Sequence, residues 1–297
     1  MTYSEIWHRI ATSYDDGEAR AIARILIEEL FGLSYADIVC GATEQLSADD
    51  TLRLDTAVRR IEQGEPLQHV LGYADFCGNR FCVNGSVLIP RPETEWLVDE
   101  GAKLMSTTAT SSPKRILDIG TGSGCIAISL KLRLGDAYVE AWDISEEALR
   151  TAQDNADALK AEVVFRKRDA LRADNTAAPW DLIVSNPPYI CDSERTAMDD
   201  NVLLHEPHTA LFVPDDDPLR FYRAIARYAL LTLNIGGSLL FECNTRYAEA
   251  TGTMLRDMGF EEVTVSDDCF GLPRFVRGRK NSPSQPSPSG RAWLPKA

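Results

Sequence analysis

Arg115-Ile116-Leu117-Asp118-Ile119-Gly120-Thr121-Gly122-Ser123-Gly124 decides how this chain folds. An apolar run of strand length stops at a glycine cluster, and Cys125-Ile126-Ala127-Ile128 carries on as a helix. In an open parallel sheet such a turn lies at the carboxyl end of its strand, where ligands bind. A dinucleotide fingerprint, Gly-x-Gly-x-x-Gly, needs its last glycine at position 125, and Cys125 stands there instead. The spacing is Gly-x-Gly-x-Gly, so Gly120, Thr121, Gly122, Ser123 and Gly124 are candidate cofactor contacts. Asp143, at the end of the next strand-like run, can accept hydrogen bonds from both hydroxyls of a ribose. A turn built for packing alone is the plainer alternative. The strand before it, the helix after it and the acid at this distance favour a nucleoside cofactor.

Downstream, short apolar runs alternate with amphipathic helices. The runs are 137–143, 162–169, 181–185 and 237–243; the helices open at Ser145, span about 219–233 and end with one at about 248–258. This alternation calls for a parallel sheet with helices on both faces. Two strand candidates, 262–265 and 274–276, follow without a helix between them, which predicts an antiparallel final hairpin. The fold class is α/β, Rossmann-like, with a mostly parallel seven-stranded sheet and a small N-terminal helical domain.

That helical domain is read from Ala21, Ile22, Ile25, Leu26 and Leu30 at helical spacing before Gly32, and from Leu52, Leu54, Val58 and Ile61. Ser47 with Asp50 three residues on is a helix start, and Gly64 and Pro66 form a stop. Phe81-Cys82-Val83 and Val87-Leu88-Ile89 read as strands, with Gly78-Asn79 as a hairpin turn. A helix over about 94–105 and a surface loop over 106–113 follow. The domains are expected to be 1–85, helical with a hairpin linker; 86–280, catalytic; and 281–297, a disordered Ser/Pro-rich tail.

A formal net charge of −14 disfavours broad duplex binding, and residues 1–85 hold 14 Asp/Glu against 7 Lys/Arg. No membrane span or leader is read, and a cytoplasmic location is expected. Seven cysteines without a Cys-x-x-Cys pair suggest reduced thiols and no metal site. His205-Glu206-Pro207-His208 is an incomplete ligand set that Pro207 interrupts, and reads as a loop near the mouth of the site. Asp215-Asp216-Asp217 before Pro218 reads as a helix cap.

After the fourth strand of the alternation comes Asn186-Pro187-Pro188-Tyr189, which should lie beside the glycine turn. Two prolines fix the backbone and offer no N–H, leaving carbonyls to face a ligand. The side-chain oxygen of Asn186 and the carbonyl of Pro188 can each accept one hydrogen bond from a planar NH2 group, and the Tyr189 ring offers a flat wall. The chemistry indicated is methyl transfer from S-adenosylmethionine to an amide or amino nitrogen. No strong general base is required, so positioning carries the rate.

These residues, together with Gly64-Glu65-Pro66-Leu67-Gln68-His69 and Ile89-Pro90-Arg91-Pro92-Glu93-Thr94-Glu95, resemble the HemK/PrmC family over 64–278. The family comprises class I S-adenosylmethionine-dependent methyltransferases that modify the glutamine N5 of peptide chain release factors, at a Gly-Gly-Gln loop. The resemblance implies that Gly120 to Gly124, Asp143, Asp169 with Ala170 after it, and Asn186 meet the cofactor. It also implies that the N-terminal domain helps hold the release factor. Arg91 and Glu93 are read equally as surface charges or as a frame for the substrate. Two departures stand out. Ala170 replaces a residue that is often aromatic, and Glu242-Cys243-Asn244 replaces Glu, a small residue and Gly. Methylation of an exocyclic amine in nucleic acid, N6-adenine or N4-cytosine, suits the same motif, although sequence-specific nucleic-acid binding is not expected from the charge. A non-catalytic binding module is a further alternative.

Overall fold

A computed structural model describes residues 1–107, 113–173 and 179–281. The N-terminal unit consists of α1 (Tyr3–Ile10), α2 (Asp16–Phe31), α3 (Tyr35–Val39), α4 (Ala48–Glu62) and α5 (Leu67–Leu71). Capping sets their ends: Asp15 accepts from the N–H groups of Gly17 and Glu18, Ser47 accepts from Asp50 N–H, and Gly32 closes α2 at φ 66°. Ile6, Ile10, Leu26, Ile27, Leu54, Val58 and Ile61 form its core, each contributing roughly 1.5–3 kcal/mol by burial. Arg9 links α1 to α4, 2.8 Å from Asp55 and 2.7 Å from Glu62.

β1 (Tyr73–Phe76) and β2 (Asn79–Cys82) pair as a hairpin whose two turn residues are Cys77 and Gly78, one position earlier than the sequence suggests. Both have positive φ, 48° and 74°, as a type I′ turn demands. The strain at Cys77 is held by its N–H, which donates to a Glu95 carboxylate oxygen at 2.6 Å. Phe76 and Phe81 are buried in the same core as Leu97, Leu130 and Leu182, so the hairpin packs on the catalytic sheet. Val87 to Ile89 do not form a strand. Val87 and Ile89 pack with Ala74, Val83 and Ala148 while Leu88 lines the main site's cavity, and the N–H groups of Val87 and Ile89 donate to Asn84 carbonyl and the Glu206 carboxylate.

A short 3-10 turn, Pro92–Thr94, leads into α6 (Glu95–Thr107); the expected loop then falls largely outside the described residues. Next come β3 (Arg115–Ile119), α7 (Cys125–Leu134), β4 (Tyr138–Asp143), α8 (Glu146–Leu159), β5 (Val163–Lys167) and β6 (Trp180–Ser185). β7 (Ile190–Cys191), α9 (Asp200–His205), α10 (His208–Leu211) and β8 (Phe212–Val213) form a small excursion. The chain closes with α11 (Arg220–Thr232), β9 (Leu233–Glu242), α12 (Ala248–Asp257), β10 (Phe260–Asp267) and β11 (Pro273–Lys280). The expected tail from 282 lies outside the described residues.

The main sheet has seven strands in the order β10-β11-β9-β6-β3-β4-β5, with β11 antiparallel to both its neighbours and the rest parallel. This is the mostly parallel sheet with a closing hairpin that the alternation of elements implies. Alternate side chains serve opposite faces. Ile116, Leu182, Val184 and Leu240 pack with α6 and α7 on one side, while Leu117, Ile183, Leu239 and Phe241 pack with α11 and α12 on the other. The acidic run does not cap α11. Asp215 accepts from the N–H and hydroxyl of Ser193, Asp217 pairs with Arg223, and Leu219 stands at the cap without a side-chain bond.

Asn155, buried on α8, joins the two parts of this structure. Its Oδ1 accepts from Cys82 N–H at 2.7 Å, and its Nδ2 donates to the carbonyls of Cys82 at 3.0 Å and Ser123 at 2.9 Å. Asn155→Ala should therefore lower the stability of the catalytic unit by about 1–3 kcal/mol, because backbone groups lose their partners where water is scarce. Urea denaturation checks this. A midpoint equal to that of the unaltered chain would remove Asn155 from this role.

Candidate active site

The turn after β3 is held from both sides. The N–H groups of Gly120 and Thr121 both donate to Trp142 carbonyl, at 2.8 and 2.9 Å, and Thr121 Oγ1 donates to the buried Asp118 at 2.6 Å. Burial pushes the Asp118 carboxyl up to about 7. Gly120, Gly122 and Gly124 all have positive φ, which a side chain resists. Their roles differ. Gly120 and Gly122 line the main cavity, together with Thr121 and Ser123. Gly124 does not; a Cβ there would lie 2.9 Å from Ile128 Cδ1 and 3.1 Å from Ala152 Cβ, so this glycine serves the packing of α7 on α8.

Asp143, at the end of β4, accepts from Gly122 N–H and Ser145 N–H, each at 2.9 Å, and its carboxylate borders the cavity. Its pKa is raised, chiefly by burial, with the backbone donors opposing the shift. A carboxylate has about four acceptor positions, so acceptor capacity remains beside these backbone donors for a ligand hydroxyl. The cavity holds about 370 Å³, and beyond Asp143 its wall combines the apolar Ile144, Ala170, Leu171, Phe221 and Ile225 with the polar Ser145, Arg168, Asp169 and Arg220. The small side chain at Ala170 is thus accompanied by two bulky groups from α11, which the sequence reading did not single out. Asp169 caps the short turn that carries Ala170 by accepting from Leu171 N–H at 2.8 Å.

β6 lies next to β3, with Ser185 opposite Ile119 and the Ser185 hydroxyl donating to Ile119 carbonyl at 2.6 Å. Asn186 therefore begins where the glycine turn begins. A Cβ on Gly120 would be 3.8 Å from Asn186 carbonyl oxygen. Asn186, Pro187 and Pro188 line the cavity. Tyr189 is not on its wall: its hydroxyl lies 3.3 Å from Glu242 Oε1 in a buried setting that raises its pKa, so the ring backs the motif from behind. Tyr189 N–H donates to Leu211 carbonyl, anchoring the motif to the 207–213 segment, which supplies Pro207, Ala210 and Phe212 to the cavity.

Arg91 lines the cavity and is not a free surface charge. Its Nη2 lies 2.5 Å from Glu206 Oε1, whose side chain is 1% exposed. Glu206 is thereby engaged with Arg91; among the described residues no cluster of three or more His, Cys, Asp or Glu is placed to hold a metal. Glu93 is away from the cavity wall and acts on Glu242, where its charge raises the carboxyl pKa. Glu242, at the end of β9, is fully buried and receives the Thr94 hydroxyl at 2.7 Å; Thr94 Oγ1 is also 3.4 Å from Asn186 Nδ2. Asn244 uses its extra length to bond Tyr189 carbonyl at 3.3 Å and Glu194 at 3.2 Å. Thr94 and Glu242 lie in stretches noted in the sequence, yet nothing local marks them as partners.

The sheet order, the glycine turn with the Asp143 carboxylate beside it, and a proline-rigid asparagine motif next to that turn define a class I S-adenosylmethionine-dependent methyltransferase. Two family models match, Methyltransferase small domain over 95–211 and PrmC N-terminal domain over 8–72. A release factor glutamine methyltransferase of Bacteroides thetaiotaomicron is 44% identical over 268 residues, covering 90% of this chain and 95% of the relative. One of Flavobacterium psychrophilum is 38% identical over 272 residues, covering 90% and 94%. Among solved structures, a methyltransferase from Pyrococcus furiosus matches in fold with a TM-score of 0.50 at 13% identity, over 80% of this chain and 100% of that one. The chain belongs to the release factor glutamine methyltransferase family.

Asp143→Ala should weaken S-adenosylmethionine binding by roughly 1.5–3 kcal/mol, the worth of hydrogen bonds to a charged acceptor, while the fold persists. Calorimetric titration measures it. Unaltered affinity would take Asp143 out of the cofactor site.

Proposed function

We propose that this chain transfers the methyl group of S-adenosylmethionine to the side-chain amide nitrogen, N5, of the glutamine in the Gly-Gly-Gln motif of peptide chain release factors. The observation that carries the reading is the adjacency of Gly120 and Asn186 on one cavity wall, created by the Ser185 to Ile119 bond. The donor set fits the cofactor: Asp143 supplies acceptors for ribose hydroxyls, and the apolar wall around Ala170 and Ile225 suits a flat base. When bound, the cofactor supplies a methyl group made electrophilic by a positively charged sulfur.

The chain's own residues do the positioning. Asn186 Oδ1 and Pro188 carbonyl each accept one N–H of the glutamine amide, fixing the nitrogen toward the methyl group and drawing density onto it. Pro187 and Pro188 hold the backbone without adding a competing donor. Arg91, tethered to Glu206, and the 207–213 segment close the cavity against water. The methylated nitrogen passes its surplus proton to water as the product leaves the cavity, so no side chain need act as a strong base.

The helical unit within 1–85 meets the folded release factor away from the catalytic cavity; it exposes the apolar side chains Tyr35, Val39 and Leu52. A substrate that acts in translation puts this work in the cytoplasm. Among the described residues no helix is long and apolar enough to cross a membrane.

Incubation with a release factor and labelled S-adenosylmethionine, followed by mass mapping, tests the reading. Label on the glutamine supports it; label in an oligonucleotide and none in the factor would overturn it. Asn186→Ala should cut turnover on the order of 100-fold through loss of orientation, with cofactor affinity little changed. Kinetics beside calorimetry separate the two, and near-normal turnover would make the side-chain acceptor dispensable. A short glutamine peptide should show a much lower kcat/KM than the intact factor, because it forfeits remote binding energy. Equal values would leave the helical unit without a part in recognition.

A further inference from the structure

Thr94 Oγ1 stands between Glu242 Oε2, at 2.7 Å, and Asn186 Nδ2, at 3.4 Å. A threonine hydroxyl has one proton and two lone pairs, and an ionised carboxylate can only accept. The proton therefore goes to Glu242, and Thr94 has only lone pairs left for Asn186. A lone pair can be met by the NH2 arm of that amide and not by its oxygen. Because the amide is planar, tying Nδ2 to Thr94 turns Oδ1 away from it. An unanchored amide could equally present its NH2 group to the NH2 of an incoming glutamine, donor against donor.

We propose that Glu242 and Thr94 are positioning residues that set the orientation of the Asn186 amide: ionised Glu242 selects the acceptor Oδ1 for the cavity, and protonated Glu242 releases that choice. The proposal deepens the methyl-transfer reading and, for its catalytic consequence, rests on it. A protonated Glu242 can donate to Thr94 Oγ1. The threonine proton is then free to turn toward Asn186, and the amide can rotate by half a turn to accept it.

The surroundings of Glu242 put this change within reach. It is fully buried at the end of β9, facing Thr94 and Glu93 from the turn before α6, the Tyr189 hydroxyl from the asparagine motif and Arg274 from β11. Arg274 is shared with Asp268, 2.7 Å away, so its charge is only partly directed at Glu242. Burial is the largest influence and Glu93 adds to it; Thr94, Arg274 and Tyr189 oppose them, and the carboxyl is pushed up to about 7. Above that pH Glu242 is ionised and Oδ1 faces the cavity; below it the orientation is lost, so transfer should slow on the acid side.

The test uses the full chain. Thr94→Val keeps the shape and removes the hydroxyl, and should lower kcat by about 30-fold or more with cofactor affinity within about 2-fold, while Thr94→Ser restores most of the rate. Glu242→Gln cannot titrate and should flatten the acid limb of the pH profile. Independently of any substrate, the Asn186 side-chain amide signal in nitrogen-15 NMR, assigned by its loss in Asn186→Asp, should move with a midpoint near 7 and stay still in Glu242→Gln. An amide signal unmoved between about pH 6 and about pH 8, or Thr94→Val turning over at the full rate, would overturn the proposal. If the amide titrates but no release factor is methylated, the substrate reading fails and the orientation device stands. If the factor is methylated equally by the unaltered chain and Thr94→Val, the reverse holds.

Discussion

The pairing of β6 with β3 is the constraint on which this structure depends. It aligns Ser185 with Ile119, and the Ser185 hydroxyl locks the two strand ends together through Ile119 carbonyl. Two chain segments that leave the sheet at the same level in neighbouring strands must diverge around a crevice. One becomes the glycine turn and the other the Asn-Pro-Pro-Tyr motif. Any slip of register by one residue would send Asn186 to the opposite face and separate it from Gly120.

Around that crevice the chain buries acids that would ordinarily sit in water. Asp118 is held by the Thr121 hydroxyl, Glu206 by Arg91 and Ile89 N–H, and Glu242 by Thr94 and Tyr189. Burial of a carboxylate is unfavourable unless hydrogen bonds or cations offset it. Asp118 and Glu242, which lack a dedicated cation, are pushed up to about 7. Each of these acids secures a wall of the cavity: the glycine turn, the Arg91 strap and the asparagine motif.

Several local readings shifted once packing was seen. The hairpin turn moved from Gly78-Asn79 to Cys77-Gly78 because Glu95, distant in sequence, holds Cys77 in a conformation that the residue type disfavours. Val87 to Ile89 have strand composition, but Ile89 N–H is taken by Glu206, Val87 N–H by Asn84 carbonyl, and the Val87 and Ile89 side chains by a small apolar cluster. Asp215 looked like a cap and became a tether for Ser193. Gly124 fits the glycine spacing of the turn but answers to Ile128 and Ala152.

The sequence by itself determined the alternation of strands and helices, the glycine turn, the acid at the end of the next strand, Asp143, and the asparagine motif. These are written in periods of two and of about 3.6 residues and in turn chemistry, all of which act over short stretches of chain. Only the tertiary structure decided which residues stand behind them. Thr94 meets Glu242 across 148 positions and Arg91 meets Glu206 across 115, while Phe221 and Ile225 reach the cavity from a helix that carries no motif. Those contacts exist because the sheet brings distant strand ends to one edge, and no local pattern records which side chains will face each other there.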